Sequence, residues 1–255
     1  MNKKDLKEFL DEKSSQYQNS AFFDEDPIQI PARFTLQKDI EIAGFLTATI
    51  AWGNRKSIIN NANRMMDLMD HSPADFIENH TESDLQSLQP FVHRTFNGED
   101  ITFFIKALQR LYRSHATLED YFIPRQVAKN STHNLHGAID DFRTDFLRDY
   151  SGRTTKHIAS PAKGSTAKRI HMYLRWMVRK GPVDFGIWHN VPTSLLSCPV
   201  DVHSGRVARK LGILSRTQND CKTVLELDDS LRKLDPSDPV KYDFALFGLG
   251  VFEKF

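Results

Sequence analysis

The sequence predicts an all-α fold, and three observations support this prediction. Apolar residues recur with helical periodicity along most of the chain from Asp39 onwards. No segment shows the apolar and polar alternation that is typical of a half-buried strand. Residues that begin or end helices, such as Gly212 and the pair Asp238-Pro239, stand where the periodicity starts or stops. With 255 residues and 40% hydrophobic content, the chain can bury one large core or two modest ones.

The predicted helices follow one another with short breaks. Two lie between Asp39 and about Met69 and are joined through the segment Trp52 to Lys56. Further helices are predicted at roughly 73–79, 82–88, 100–113, 117–128, 136–149, 165–179, 192–196, 202–211, 219–233 and 239–254. Because the terminal helices flank the middle block, we expect a single unit of two lobes with a cleft between them. One lobe comprises roughly residues 1–35 plus 152–255, and the other roughly 36–151.

Composition narrows the class of protein. Only Cys198 and Cys221 occur, which excludes a disulfide framework or a four-cysteine iron–sulfur cluster within the chain and predicts two ordinary buried thiols. The start of the chain has no signal peptide pattern and no segment is apolar enough to span a membrane. We therefore expect a soluble, cytoplasmic protein with no membrane partner. We also expect a monomer with no cofactor. His133 and His136 have a metal-compatible spacing, but nothing completes a site, so surface histidines are predicted.

Charge is distributed unevenly although the net charge is only +1. Residues 151–180 carry no Asp or Glu and eight cations, namely Arg153, Lys156, Lys163, Lys168, Arg169, Arg175, Arg179 and Lys180. One basic face on a neutral protein is typical of proteins that bind a polyanion, and a solvated charged face is the alternative.

Asp201 is the strongest candidate for chemistry. It stands in the run Cys198-Pro-Val-Asp-Val-His at the start of a basic helix that contains His203 and Arg206. A helix N-terminus favours negative charge, so this carboxylate should stay ionised and could face a developing cation. The alternative is an ordinary Asp N-cap.

The Asp201 segment resembles the one that bears the catalytic aspartate in helix-hairpin-helix DNA glycosylases. This resemblance implies a two-lobed helical fold and a role for Asp201 in assisting loss of a base from double-stranded DNA. Ser160 to Arg169 is similar to a degenerate hairpin leading into a helix, with Gly164 in place of the usual two glycines. Such a hairpin binds a DNA phosphate in that superfamily, and we expect Lys163, Gly164 and Arg169 to contact DNA.

Lys168 is the candidate nucleophile, chosen over Lys163 because it begins a strongly helical segment. Asp201 follows it by 33 positions, an interval that resembles the archaeal 8-oxoguanine glycosylases more than endonuclease III. In that subgroup a second basic residue follows two turns later, and Arg175 has the matching place. Arg169 and Arg175 would lower the pKa of the Lys168 amine. The alternative is a lysine that only contacts phosphate or solvent.

Two further segments resemble base-contacting regions of the same enzymes. Asp243 and Phe247 have the spacing of an aspartate and an aromatic residue that hold the flipped base, although a core Phe with an exposed Asp is the alternative. The run Trp52, Asn54, Arg55 and Lys56 is similar to the position where glycosylases inspect the base. Here the alternative is a core Trp52 and a helix-capping Asn54.

Nearly the whole chain after Phe34 also resembles an uncharacterised bacterial family, the domain of unknown function numbered 2400. The matching residues include Lys168-Arg169, Leu174 to Arg179, Phe185 to Trp188 and Asp238 to Gly250. The expectation is therefore a base-excision glycosylase with lyase activity, acting on a damaged purine such as 8-oxoguanine. A non-catalytic DNA-binding protein on the same scaffold is the main alternative, and an enzyme of RNA or free nucleosides is less favoured.

Overall fold

The computed structural model describes residues 2–19, 21–124, 134–152 and 155–255, and these parts of the chain are mostly helical. This confirms the predicted predominance of helix. The α-helices of the described residues are α1 (Lys3–Tyr17), α2 (Phe22–Glu25), α3 (Gln37–Thr49), α4 (Arg55–Asp67), α5 (Pro73–Asn79), α6 (Glu82–Ser87), α7 (Gly98–Ser114), α8 (His136–Phe146), α9 (Lys168–Val178), α10 (Val202–Lys210), α11 (Cys221–Leu234) and α12 (Tyr242–Val251). None of them is both long and apolar enough to cross a bilayer.

Shorter elements connect these helices. Single 3-10 turns occupy Pro27–Gln29, Pro31–Arg33, Leu118–Tyr121, Thr193–Leu195 and Pro239–Lys241. The sequence did not predict the one small hairpin of the described residues, in which β1 (Val92–His93) pairs antiparallel with β2 (Phe96–Asn97). Two-residue strands are too short to produce a visible alternation, which explains why the pattern was missed.

The chain separates into two compact units. Unit 1 comprises residues 1–22, 123–140 and 159–255, and unit 2 comprises residues 23–122 and 141–158. The predicted cleft between two lobes stays a prediction.

Unit 1 is built around α12, which packs against α1 and α10. Its core includes Val207, Val224, Leu227 and Leu246, all fully buried. Gly248 of α12 faces the ring of Tyr17 so closely that a Cβ would lie 2.1 Å from it, so a larger residue would separate the two helices. The sequence did not predict α1, although Asn2 caps it by accepting a hydrogen bond from the Asp5 N–H.

Unit 2 has an aromatic core, which accounts for much of the high Phe content. Phe45, Phe104, Phe142 and Phe146 form a mutually packed cluster with ring centroids between 4.8 and 6.0 Å apart. These rings come from α3, α7 and α8, so the cluster ties three helices together.

The predicted helix ends can be compared with the observed ones. Gly212, with φ of +72°, ends α10 as predicted, and the N–H groups of Gly212 and Ile213 bond to the carbonyls of Arg209 and Ala208 in a Schellman motif. The predicted helix over 117–128 is wrong, because only Leu118–Tyr121 forms a 3-10 turn and Pro124 disfavours helix before it. Residues 125–128 lie outside the described residues.

The predicted capping role of Asp238 is also wrong. Pro239 does begin a short 3-10 turn, but the Asp238 side chain does not cap it. Both carboxylate oxygens instead accept hydrogen bonds from Arg179 Nε, at 2.9 and 3.1 Å. A charged donor outcompetes the backbone N–H for this carboxylate.

Candidate active site

The segment before α9 is a tight turn that places Lys168 at the start of a helix. The Gly164 N–H bonds to the Pro161 carbonyl at 2.8 Å, and the Ser165 N–H returns to the Ser160 carbonyl at 3.2 Å. Gly164 has a φ of +84°, in the left-handed region that glycine adopts without cost. Asp140 fastens the turn, because its carboxylate accepts hydrogen bonds from the Ser160 hydroxyl and, at 2.9 Å, from the Ala162 N–H.

Asp201 has two roles, one for each carboxylate oxygen. Oδ1 caps α10 by accepting hydrogen bonds from the N–H groups of His203 and Ser204 at 2.8 and 3.0 Å. The Asp201 backbone N–H in turn donates to the Ser204 hydroxyl oxygen at 2.9 Å, which completes a capping box. Oδ2 accepts a hydrogen bond from Lys168 Nζ at 2.9 Å. The structure therefore brings the predicted catalytic pair into contact, and it also gives Asp201 the ordinary N-cap role.

The Lys168–Asp201 pair is partly accessible to solvent. One third of the Lys168 side chain and 21% of the Asp201 side chain are exposed. Burial acts to raise the pKa of Asp201, but the Lys168 ammonium and the N–H groups of Ser204 and His203 outweigh it and hold this pKa below its usual value. Asp201 is therefore a carboxylate anion at neutral pH, as predicted.

Arg175 lies two turns beyond Lys168 on α9 and is buried rather than facing solvent. Its Nε donates to Asp184 Oδ1 at 3.0 Å, its NH1 donates to Asp243 Oδ2, and its guanidinium carbon lies 4.4 Å from the centroid of the Phe244 ring. The guanidinium is thus engaged by two carboxylates, which is why it cannot act as an exposed phosphate ligand in this conformation.

Asp243 is buried as well, so the alternative of an exposed Asp is wrong. Burial raises the pKa of Asp243. The Arg175 guanidinium opposes this increase, and the negative charge of Asp201 adds to it. Cys198 Sγ lies 3.7 Å from its other oxygen, Oδ1. Phe247, one turn later on α12, is partly exposed and meets the edge of the Phe22 ring at 5.9 Å between centroids.

The other predicted DNA contacts divide between the two units. In unit 1, Lys163 and Gly164 are exposed on the turn, and His203 and Arg206 are exposed on α10. Arg206 donates to the Gly250 carbonyl at 3.0 Å, and burial lowers the pKa of Arg169 to about 10. The remaining predicted contacts lie in unit 2 and are Trp52, Asn54, Arg55 and Lys56. Asn54 caps α4 by accepting the Ser57 N–H at 3.1 Å.

The family profile that matches this sequence is described as Protein of unknown function (DUF2400), and it covers residues 26–252. The chain belongs to the DUF2400 family. No curated protein and no solved structure matches it. The match begins after α1, so this helix, which packs on α12, lies outside the part of the chain shared with the DUF2400 profile.

In this DUF2400 protein, the cations of the run 151–180 do not all lie on the surface. Arg175 and Arg179 are buried, and Arg179 bonds to Asp184, Asp238 and Gln18. The sequence did not predict the role of Asp184. This residue lies in a loop nine positions after Arg175, and no pattern there indicates that its carboxylate pairs with two buried arginines. Arg153 lies outside the described residues.

The burial of His136 and of Cys221 differs from the predictions, which placed the histidine on the surface and the cysteine in the core. His136 is half-buried rather than on the surface, with Cys221 Sγ 3.5 Å from its Nδ1 and the Ser197 hydroxyl 3.3 Å from its Nε2. Cys221 is half-buried, whereas Cys198 is buried as predicted. His133 lies outside the described residues, and among the described ones no three His, Cys, Asp or Glu side chains are grouped to hold a metal ion.

Asp228 of α11 fixes the backbone that leads into Asp201. Its buried Oδ1 accepts the Cys198 N–H at 2.9 Å. Burial raises the pKa of Asp228 to about 7, although hydrogen bonds from Ser197 and Cys198 and the charge of Arg232 oppose the shift. The folded protein therefore holds a proton on this carboxyl at a pH where the unfolded chain has lost it.

Asp228→Asn should change how stability depends on pH. Because the raised pKa favours the folded state below the ordinary Asp pKa of 3.8, that contribution falls between about pH 4 and pH 7, by at most about 1.4 kcal/mol per pH unit. The free energy of unfolding, measured in urea from pH 4 to pH 8, should fall less with rising pH in Asp228→Asn than in the wild type. The exposed Asp141→Asn is the control and should follow the wild type. Parallel curves for Asp228→Asn and the wild type would show that Asp228 titrates normally.

Proposed function

We propose that this chain is a DNA N-glycosylase with lyase activity, which removes a damaged purine such as 8-oxoguanine from double-stranded DNA. The observation that carries the proposal is the 2.9 Å contact between Lys168 Nζ and Asp201 Oδ2. An amine and an ionised carboxylate, both partly accessible, are the two groups that this chemistry requires of the protein.

The proposed reaction uses both groups in sequence. Lys168 must first lose a proton, and Asp201 Oδ2 is within hydrogen-bond distance to receive it. The amine then attacks C1′ of the deoxyribose while the bond from C1′ to the base breaks and the base leaves with the electron pair. The proton passes from Asp201 to the departing base, which returns the carboxylate to the charged form that stabilises the cationic sugar. The C1′–O4′ bond of the sugar then breaks with its electron pair on O4′, which takes a proton from the Lys168 nitrogen, and the nitrogen lone pair forms the C=N bond of a protonated Schiff base.

The surroundings of the pair support a nucleic acid substrate. Lys163, His203 and Arg206 are exposed on the turn before α9 and on α10, the two elements that carry the pair. Cations on these elements can bind phosphates on either side of the reacting sugar. The likeness of both segments to those of helix-hairpin-helix glycosylases points to the same substrate class.

Borohydride trapping tests the proposal. The full chain, incubated with duplexes that each carry one damaged base and with borohydride, should form a covalent protein–DNA adduct with at least one lesion, because borohydride reduces the Schiff base to a stable amine. Lys168→Ala should abolish the adduct, whereas Lys222→Ala, an exposed lysine near the start of α11, should not. Absence of an adduct across a panel of oxidised, alkylated and deaminated bases would contradict the lyase proposal.

One observation favours a second candidate, a DNA-binding protein without catalysis. Arg175 and Asp243 bond to each other, so the residue expected to hold a flipped base already has a buried partner. Such a protein would bind undamaged duplex with a steep salt dependence. In that case Asp201→Asn and Lys168→Ala would change the affinity for DNA only by the effect of one lost charge. Neither variant would alter a reaction, because the protein would catalyse none.

A further inference from the structure

Trp52 differs from the other two tryptophans of the chain. Trp176 and Trp188 are 0% and 1% exposed, whereas Trp52 is partly exposed in the loop that joins α3 to α4 in unit 2. An indole that is partly accessible in a connecting loop can offer a face to a ligand, and it can also be followed selectively by fluorescence quenching.

Two histidines hold the Trp52 ring. His93, on β1, packs edge-to-face against it with centroids 5.0 Å apart, and His93 Nε2 lies 3.3 Å from the Trp52 carbonyl oxygen. His157 packs against the same ring at 5.8 Å. His157 is itself fixed by Asp100, whose Oδ2 lies 3.4 Å from its Nε2, and by the edge contact of Phe96 at 5.0 Å. The small hairpin and His157 therefore set the position of the indole.

The surroundings of this ring are basic. The loop 50–56 and the hairpin 92–97 contain Arg55, Lys56 and Arg94 and no acidic residue. Lys56 and Arg94 are exposed. Gly53 has a φ of +103°, and a Cβ there would lie 2.8 Å from Arg94 NH1, so glycine lets the Arg94 side chain lie across the loop.

We propose that this loop and hairpin form a nucleobase-stacking site for an unpaired stretch of nucleic acid, with Trp52 as the platform and Lys56 and Arg94 as phosphate ligands. Aromatic rings combined with cations along a strand are the usual means of binding single strands, because every base has a face that stacks. His93 and His157 are positioning residues for Trp52. The proposal rests on unit 2 alone and does not depend on the chemistry proposed for Lys168.

Acrylamide quenching of tryptophan fluorescence tests the site in the full chain. A single-stranded deoxyoligonucleotide should protect Trp52 from acrylamide, and a fully paired duplex of the same sequence should protect it less. Trp52→Ala should weaken binding of the single strand about 10-fold or more, and Trp52→Phe, which keeps a ring, should restore most of it. Lys222→Ala, which removes an exposed cation of unit 1, should bind the single strand as the wild type does.

The remaining variants distinguish direct contacts from support. Arg94→Ala should reduce the slope of binding against salt by about one, whereas Arg113→Ala, an exposed arginine of the same unit, should not. His93→Ala should weaken binding in the wild type but not in Trp52→Ala, because it acts through the indole. The proposal is overturned if the single strand does not bind, if it leaves the quenching of Trp52 unchanged, or if Trp52→Ala binds as tightly as Trp52→Phe.

Discussion

Asp201→Asn is expected to slow base release by about 10²- to 10⁴-fold while the protein stays folded. Asn is as good an N-cap as Asp, so the amide oxygen can still accept the N–H groups of His203 and Ser204. It carries no charge, however, and its second polar atom is a donor facing Lys168. In the proposed mechanism, the variant therefore lacks both the proton acceptor and the anion that stabilises the cationic sugar.

Asp220→Asn is the matched control for this result. Asp220 also caps a helix, since its Oδ1 accepts the Thr223 N–H at 2.9 Å, and it also pairs with a cation, Arg216, at 2.6 Å. Single-turnover base release, measured on whichever lesion the trapping identifies, should be normal in Asp220→Asn. Equal rates in Asp201→Asn and the wild type would remove Asp201 from the mechanism and leave it as a helix cap.

Asp184→Ala is expected to lower the free energy of unfolding by about 3–5 kcal/mol. The Asp184 side chain is 0% exposed and bridges Arg175 Nε and Arg179 NH1, both at 3.0 Å. Its removal leaves two buried guanidinium groups that have each lost one counter-ion, so that Arg175 keeps the carboxylate of Asp243 and Arg179 keeps that of Asp238. Denaturant unfolding measures this loss.

The control for Asp184→Ala is a variant that removes an exposed ion pair. Lys4 and Glu8 on α1 are 84% and 67% exposed, so Glu8→Ala should change stability by well under about 1 kcal/mol. Asp184→Asn, which keeps the volume and one acceptor oxygen, should fall between the two. A loss in Asp184→Ala no larger than that in Glu8→Ala would mean that the network of Arg175 and Arg179 does not depend on Asp184.

Much of the helical architecture follows from local signals in the sequence. The periodicity and the caps place α10 and α11 within two residues of their observed ends, because Gly212 and the capping carboxylates act through near neighbours. Asn54 and Asp201 cap helices for the same reason. Such interactions are visible in a short stretch of sequence.

Contacts between distant residues explain what the sequence did not predict. The 33-position interval indicated the pairing of Lys168 with Asp201 only by resemblance, and the pairing of Arg175 with Asp243 spans 68 positions with no local sign. Burial explains why such a residue was assigned the wrong role. A basic residue that resembles a DNA ligand in the sequence forms a structural ion pair when a carboxylate from another element contacts it inside the core. Asp238 was assigned to a cap because its partner, Arg179, lies 59 positions away.

The site of covalent attachment tests the central proposal most directly. The borohydride-reduced protein–DNA adduct can be digested and its modified lysine located by mass spectrometry. We expect the modification on Lys168, whose Nζ contacts Asp201, and not on Lys163, which is exposed on the preceding turn. An adduct on Lys163 or on any other lysine, or no adduct with any lesion, would contradict the assignment of Lys168 and Asp201 as the catalytic pair.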